Sequence, residues 1–311
     1  MTTPRISVVM PVHNGLPFLD QSISSILAQT FTDFELVILN DASTDGSDEV
    51  IREWQKRDDR IRLHQSDRKL GLTGSSNLVI AQAGAAVIAR MDADDVSHRD
   101  RLRRQWDVLQ THSDVVAVGA LCDGIDATGR VVRPRDRWRI VRASRYVPFP
   151  HGSSMFRRTA FEQLHGYDER FLAGEDQDFF YRMRSLGRVV TLPDVLYHYR
   201  YHSKNATIVT GAEGVRAASN GHNPNGDGLA ALYMWGSMRL WAGEAPAILP
   251  QLIRSHVLRS NWKSLFALGS ALVGSVSPRA LRFALRSFIR ARDLIATITV
   301  RKGRPYDWRS K

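Results

Sequence analysis

The sequence predicts an α/β protein with a mostly parallel, doubly wound sheet, and two observations lead to that prediction. Short runs rich in β-branched residues predict strands at residues 6–10, 34–39, 61–64, 86–91 and 115–121. Helical spacing predicts helices between them, at residues 18–29, 47–56, 75–83 and 99–111. Alternation of strands and helices favours parallel strands covered by helices. Ligands of such sheets bind beyond the carboxyl ends of the strands.

The composition narrows the class of protein. With 311 residues, 43% of them hydrophobic, the chain is globular and fills one large domain or two smaller ones. A formal net charge of +11 indicates an anionic partner, which is nucleotide phosphate, anionic lipid or nucleic acid. The single cysteine, Cys122, excludes an internal disulfide and a cysteine-based zinc cluster. We expect no signal peptide and no membrane-spanning helix, and therefore a cytoplasmic protein.

Two polar loops follow the first two predicted strands. The first is Pro11-Val12-His13-Asn14-Gly15, and the second runs over residues 40–47. Neither a G-x-G-x-x-G nor a G-x-x-x-x-G-K-[ST] pattern occurs, which argues against the dinucleotide and P-loop modes of binding. Asp41, at a strand end, is suited to accept a hydrogen bond from a base N–H group. We expect Ser43 and Asp45 to cap the helix that follows.

The acids of Met91-Asp92-Ala93-Asp94-Asp95 close the fourth predicted strand. Alternation along a strand puts Asp92 and Asp94 on the same side. Two converging carboxylates suit a divalent cation such as Mg²⁺ or Mn²⁺, whereas a solvated acidic turn is the simpler alternative. Arg90 interrupts this apolar strand, and a buried arginine needs a carboxylate or phosphate partner.

Several motifs occur in an order that resembles the family 2 glycosyltransferases, which have the GT-A fold. The resemblance covers residues 6–202, about two thirds of the chain, and ordered motifs are far more specific than any one of them. The motifs are the opening strand at 6–14, the loop at 39–47, the segments 70–77 and 89–95, and the stretches His151-Gly152-Ser153-Ser154-Met155-Phe156-Arg157 and 166–178.

The resemblance implies a donor site for a nucleotide sugar, a metal site for Mn²⁺ or Mg²⁺, and a general base. The donor-binding residues would be Pro11, His13, Asn14, Asp41, Arg68, Asn77, Arg90 and Asp92. Asp94 would bind the metal, with Asp92 beside it and His202 as a further ligand, although His198 competes for that role. Asp176 would take the proton of the acceptor hydroxyl, while Asp178 supports the fold. For Arg68 and Lys69 a solvated position is the alternative, and for Asp176 it is helix capping.

Beyond residue 206 the resemblance fades. We expect a catalytic domain at residues 1–210, a loop or hinge at 211–229 and a basic helical region at 230–311. One helical face carries four arginines and the opposite face is apolar, which predicts a basic amphipathic helix. That helix either lies on anionic lipid or packs on the catalytic domain. The residues are Arg279, Arg282, Arg286 and Arg290 on one side and Leu281, Leu285, Phe288 and Ile295 on the other.

Together these features predict an inverting, metal-assisted glycosyltransferase that acts on a glycan or a lipid-linked acceptor of the bacterial cell surface. It would be cytoplasmic, either free or peripheral on the inner face of the cytoplasmic membrane. A metal-dependent nucleotidyltransferase or phosphohydrolase would use the same carboxylates and is the main alternative. Nucleic-acid binding is disfavoured, because the basic residues lie outside any recognisable nucleic-acid motif.

Overall fold

The computed structural model describes residues 3–133, 149–170, 175–202 and 205. The strands are β1 (Ile6–Val12), β2 (Phe34–Asp41), β3 (Ile61–Ser66), β4 (Val87–Arg90), β5 (Val96–Ser97), β6 (Val115–Ile125), β7 (Val131–Arg133), β8 (Met155–Arg157) and β9 (Arg188–Arg200). The helices are α1 (Leu19–Leu27), α2 (Ser47–Arg57), α3 (Gly71–Ala81), α4 (Arg101–Thr111), α5 (Arg158–Gln163) and α6 (Glu175–Met183), and a 3₁₀ turn spans His151–Ser153.

The strands form one mixed sheet in the order β3-β2-β1-β4-β8-β6-β9-β5, with β7 paired to β6. The first four positions are parallel, as the sequence predicts. Strand β8 then runs antiparallel between β4 and β6, and β9 pairs parallel to β6. The second half of the chain therefore continues the sheet begun by the first half, and residues after β4 and residues after β9 belong to one body.

Both faces of the sheet are buried along β1, β2 and β4, which is why these strands have nearly continuous apolar sequences. Along β1, Val8 and Met10 pack into the core on one face and Val9 packs into the core on the other. Strand β2 is buried along its whole length. The predicted α/β fold with helices on the sheet is confirmed. The short polar loops beyond β1, β2 and β4 each follow a buried strand, which fixes where the loop begins.

Helix α3 begins at Gly71, four residues before the start that the sequence indicates. Its first turn contains glycines and hydroxyl residues, which are weak helix formers. The side chain of Asp41 accepts hydrogen bonds from the N–H groups of Leu70 and Gly71, at 2.7 and 3.0 Å. A residue distant in sequence thus supplies the cap that the local sequence lacks.

The predicted loop at 211–229 and the basic helical region at 230–311 lie outside the described residues. Among the helices that the structure describes, none combines the length and apolar character that a bilayer span requires.

Candidate active site

The loops after β1 and β2 are joined by hydrogen bonds into one ledge at the carboxyl edge of the sheet. The N–H group of Asn14 donates to Oγ of Ser43 at 3.0 Å, and the N–H group of Thr44 donates to Oδ1 of Asn14 at 2.9 Å. Asn14 has φ +54°, the left-handed region that asparagine tolerates better than most residues. Nδ1 of His13 lies 2.7 Å from the carbonyl oxygen of Asp41, and the His13 side chain is exposed.

The capping prediction is right for Asp45 and wrong for Ser43. Oδ1 of Asp45 accepts from the N–H group of Ser47, the first residue of α2, at 3.1 Å. The hydroxyl of Ser43 accepts from Asn14 instead, so it ties the two loops together. Sequence reasoning had no signal for this contact, because it joins separate strand ends.

Asp41 is buried at the end of β2, with Pro11 nearby on β1, whose partner in register is Leu39. The side chain of Asp41 accepts hydrogen bonds from two N–H groups, which use about half of the lone pairs of a carboxylate. Its contact with a base stays a prediction. The structure adds that this carboxylate also holds the start of α3.

An open groove of about 630 Å³ lies along α3, and its lining includes Leu70, whose N–H group donates to Asp41. Arg68 and Lys69 are exposed on its lining, so it has a cationic side. Asn77 also lines it, but its amide bonds to both the N–H and the C=O of Tyr167, each at 2.9 Å. The donor-binding roles of Arg68 and Asn77 stay predictions, and Asn77 has the observed task of joining α3 to the 167–169 segment.

Arg90 is buried and pairs with Asp92, as the sequence predicts for a buried arginine. Its Nη2 lies 3.0 Å from Oδ1 of Asp92, and the side chains are 1% and 26% exposed. Any effect of Arg90 on a ligand would therefore pass through Asp92. Burial raises the pKa of Asp92, Arg90 lowers it, and the neighbouring Asp94 raises it again. Asp92 and Asp94 are thus two neighbouring carboxylates that repel each other, a condition that favours binding of a cation.

Asp94 and His202 are in direct contact, with Nε2 of His202 2.9 Å from Oδ2 of Asp94. Asn205 holds the pair, because its Oδ1 accepts from the N–H of His202 at 2.8 Å and its Nδ2 donates to Oδ2 of Asp94 at 3.3 Å. The ring of Phe18 packs on the imidazole with 4.8 Å between centroids. His198, the competing histidine, lies in β9 opposite Val96 and has a buried Nδ1 without a partner among the described residues.

This donor set fits a divalent cation in one respect. A carboxylate oxygen and an imidazole nitrogen side by side are typical ligands for Mn²⁺. Within the part of the chain that the structure describes, no group of three His, Cys, Asp or Glu side chains converges on one point. A cation at Asp94 and His202 would thus need further oxygen ligands from a substrate.

Two buried arginines that the sequence analysis did not single out fix the acidic loop. Arg200 donates through its Nε to the carbonyl oxygen of Asp94 and through its backbone N–H to Oδ1 of Asp95, both at 2.7 Å. Arg101 donates through Nη1 to the carbonyl oxygen of Arg90 at 3.0 Å. Nothing in the local sequence sets these two arginines apart from the chain's other cations. Only their contacts with residues distant in the chain do so.

Asp176 lies in the first turn of α6, where the sequence places it. Its Oδ1 accepts from the N–H group of Gln177 at 2.8 Å, and its side chain is partly exposed. Burial raises the pKa of Asp176, Gln177 lowers it, and the charge of Asp92 raises it, so Asp92 and Asp176 act on one another electrostatically. Asp178 pairs instead with Arg182 at 2.7 Å, in keeping with a supporting role in the fold.

A mixed α/β sheet with helices on it and acids beyond β4 defines the GT-A class of glycosyltransferase fold. Residues 7–167, about half of the chain, match the family model "Glycosyl transferase family 2". The chain therefore belongs to glycosyl transferase family 2, and it is a glycosyltransferase.

Curated relatives agree with this assignment. A putative glycosyltransferase, EpsE of Bacillus subtilis, is 34% identical over 207 residues, which cover 64% of this chain and 74% of EpsE. The O-antigen biosynthesis glycosyltransferase WbnJ of Escherichia coli is 29% identical over 213 residues, covering 64% of this chain and 81% of WbnJ.

Solved structures share the fold at lower identity. The mannosyltransferase PcManGT of Pyrobaculum calidifontis, solved with GDP-Man and Mn²⁺, has a TM-score of 0.61 and 20% identity over 100% of this chain and 89% of its own. Residues 1–349 of S. aureus TarS, solved with UDP-GlcNAc, have a TM-score of 0.56 and 16% identity over 97% of this chain and 93% of that one.

Proposed function

We propose that the protein transfers a sugar from a nucleotide-diphosphate sugar to a hydroxyl group of a glycan or lipid-linked acceptor, with inversion at the sugar carbon and the help of Mn²⁺ or Mg²⁺. The observation that carries this proposal is the direct contact of Asp94, in the loop after β4, with His202, just beyond β9, at 2.9 Å.

The donor would lie along the ledge formed by the loops after β1 and β2. His13 and Asn14 present polar atoms there, and the cations at Arg68 and Lys69 line the adjoining groove. The net charge of +11 favours a phosphate-bearing ligand. Two of the solved structures that share the fold contain GDP-Man or UDP-GlcNAc, which supports a nucleotide sugar as donor.

Asp94 and His202 would hold the metal, with Asp92 beside them and Arg90 orienting Asp92 from behind. A divalent cation bound there supplies positive charge where the leaving diphosphate develops negative charge. The Mn²⁺ in the PcManGT structure supports the same ion here.

Asp176 would accept the proton from the acceptor hydroxyl as that oxygen attacks the sugar carbon. A raised pKa brings a carboxyl closer to the range in which it is an effective base. Attack by the acceptor on the face opposite the leaving group inverts the sugar carbon in a single step. In this proposal Asp176 acts as a base and not as a nucleophile, so the reaction has no covalent intermediate.

The proposed acceptor is a glycan of the cell surface or its lipid-linked precursor. WbnJ is named for O-antigen biosynthesis, which supports a cell-surface glycan or its lipid-linked precursor as acceptor. The proposed location is the cytoplasm, free or at the inner face of the membrane. The test is sedimentation of the full chain with anionic vesicles at low and high salt. Salt-reversible cosedimentation supports surface attachment, and a soluble protein under both conditions contradicts it.

The central experiment measures nucleoside diphosphate release from a panel of nucleotide sugars with Mn²⁺, for the natural chain, Asp94→Asn and Asp176→Asn. We expect release from one donor, with loss in both variants. Release of pyrophosphate from a nucleoside triphosphate, or hydrolysis of a phosphodiester, would favour the nucleotidyltransferase or phosphohydrolase alternative. If the donor binds in calorimetry without turnover, repeating the assay with candidate lipid-linked acceptors decides between a missing acceptor and an inactive protein.

A further inference from the structure

A short 3₁₀ turn at His151–Ser153 lies between Asp92 and the start of α6, the helix that carries Asp176. Gly152 packs directly on the first of them. A Cβ atom at residue 152 would lie 2.5 Å from Oδ2 of Asp92 and would overlap the Tyr197 hydroxyl. Only glycine permits this approach, so the backbone of the turn acts as a wall for Asp92.

The neighbouring residue of the same turn contacts the other side of the site. Nε2 of His151 lies 2.7 Å from the Tyr167 hydroxyl, and its Nδ1 lies 3.6 Å from Oε1 of Glu175. The side chains of His151 and Glu175 are only 10% and 3% exposed. Glu175 is the first residue of α6 and directly precedes Asp176. His151 therefore packs against the first turn of α6, which carries the proposed base, at a distance longer than a hydrogen bond.

The turn itself is held rigidly from several directions. The N–H and hydroxyl groups of Ser153 both donate to the carbonyl oxygen of Pro150, at 3.0 and 2.9 Å. Gln105 donates to the carbonyl oxygen of Ser153 at 2.6 Å, and Arg101 donates to that of Gly152 at 3.2 Å. A rigid turn can transmit a fixed spacing between the groups on its two sides.

Burial leaves His151 and Glu175 as a neutral pair near pH 7. Burial, and then the charge of Arg90, lower the pKa of His151 well below its ordinary value. Burial, and then the charge of Asp176, raise the pKa of Glu175 to about 8. Such a pair can stay in the interior without the desolvation cost of two charges. Asp176, next to Glu175, is partly exposed.

We propose that His151 is a positioning residue for sugar transfer, because it joins Tyr167 to Glu175 and so fixes Asp176 at a set distance from Asp92. The inference rests on the proposed function, in which Asp176 is the base. Motifs around residues 151, 167 and 175, which appeared in the sequence as separate signals, would then form one working unit.

Two substitutions separate the ring nitrogens of His151. The amide nitrogen of His151→Asn falls near the place of Nδ1 and can still reach Glu175, whereas that of His151→Gln falls near Nε2 and keeps only Tyr167. We expect kcat to fall about 10- to 100-fold in His151→Gln and less in His151→Asn, as for a misplaced catalytic group. The donor KM and the affinity for the donor's own nucleoside diphosphate with Mn²⁺ should not change.

Ser7→Ala is the matched control. It removes a buried hydrogen bond, from the Ser7 hydroxyl to Glu35 at 2.5 Å, at the opposite end of β1. It should lower the melting temperature and leave kcat unchanged. Equal losses of kcat in both His151 variants, or a donor KM that rises in step with the loss, would overturn the positioning role and leave His151 as a support of the fold.

Hydrogen exchange of residues 175–183 tests the same inference in the protein without substrate. We expect faster exchange in His151→Gln than in His151→Asn or Ser7→Ala, and equal exchange in all three would contradict the proposal. If the natural chain releases no nucleoside diphosphate from any donor, the proposed function fails while this measurement still decides whether His151 holds α6. If the His151 variants do not fold, Tyr167→Phe, which removes only the hydroxyl, takes their place with the same readouts.

Discussion

His202 and Asp94 contact one another at 2.9 Å although 108 residues separate them in the chain. The contact is held by Asn205 on one side and by the ring of Phe18 on the other. A carboxylate and an imidazole that are held by neighbouring side chains would bind an ion with little rearrangement.

Replacing either member of this pair should weaken binding of Mn²⁺. For Asp94→Asn and His202→Gln we expect the dissociation constant, measured by paramagnetic resonance of free Mn²⁺ in the presence of nucleoside diphosphate, to rise by more than about 10-fold. A 10-fold loss of affinity is the lower end of the range for residues that only orient a metal ligand, and a ligand itself should matter at least as much. Asp107→Asn, at an exposed position of α4, should bind as the natural chain does. Unchanged affinity in both site variants would rule out this metal site.

Asp176 and Asp178 should respond in opposite ways to the same substitution. Asp176→Asn should lower kcat by about 10²- to 10⁴-fold, the usual contribution of a general base. It should not lower the melting temperature, because burial penalises the charge that the substitution removes. Asp178→Asn loses the ion pair with Arg182 at 2.7 Å, so it should lower the melting temperature and leave kcat nearly unchanged. The reverse pattern would assign the base to Asp178.

The stability of the protein should depend on pH through Glu175. Its pKa is about 8 in the fold and 4.5 in the ordinary state, so its favourable contribution is complete below about pH 4.5 and is lost as pH rises through about 8. Within that window the free energy of unfolding should fall by up to about 1.4 kcal/mol per pH unit.

Glu175→Gln removes this proton and should flatten the slope between pH 5 and 8 in urea unfolding followed by circular dichroism. His151, whose pKa is lowered, and Asp95, whose pKa is raised, also affect stability in this window with opposite signs, but both are present in the two proteins, so the difference between the slopes reports Glu175. Parallel slopes in the two proteins would show that Glu175 is charged in the fold at neutral pH.

Gly152→Ala should damage the site, and Gly119→Ala should damage only the core. A Cβ at residue 119 would overlap the ring of Phe149, whereas one at residue 152 would meet Asp92 and Tyr197. Both variants should lose about 1–3 kcal/mol of stability through overpacking. Calorimetry should show weaker binding of Mn²⁺ and nucleoside diphosphate only for Gly152→Ala. Equal binding by the two variants would mean that the wall beside Asp92 is not needed.

Local patterns were sufficient to predict the first half of the fold. Continuous apolar runs predict strands β1, β2 and β4, and the polar residues after each run predict the loops. The runs are apolar because these strands are buried on both faces. The antiparallel insertion of β8 between β4 and β6 was not predictable, since a strand of three residues carries little periodicity.

Site residues were predictable where they belong to a sequence motif. They were not predictable where their role depends on a contact with a residue distant in the chain. Asp94 and Asp176 belong to recognisable motifs. Asn205, which holds His202, has no local signature and is distinguished only by its contacts. Arg200 resembles the chain's other cations until its bond to the Asp94 carbonyl oxygen is seen. The early start of α3 has the same cause, because its cap is Asp41.

The distance along the chain between Asp94 and His202 has a consequence for the timing of synthesis. The ribosome delivers residues in order, so a chain released up to β8 already carries the acidic loop but lacks the imidazole that faces it. Such a fragment would hold a cation weakly and could not waste donor. Tight binding of an ion would then require that the chain has been synthesised through residue 202 and has folded.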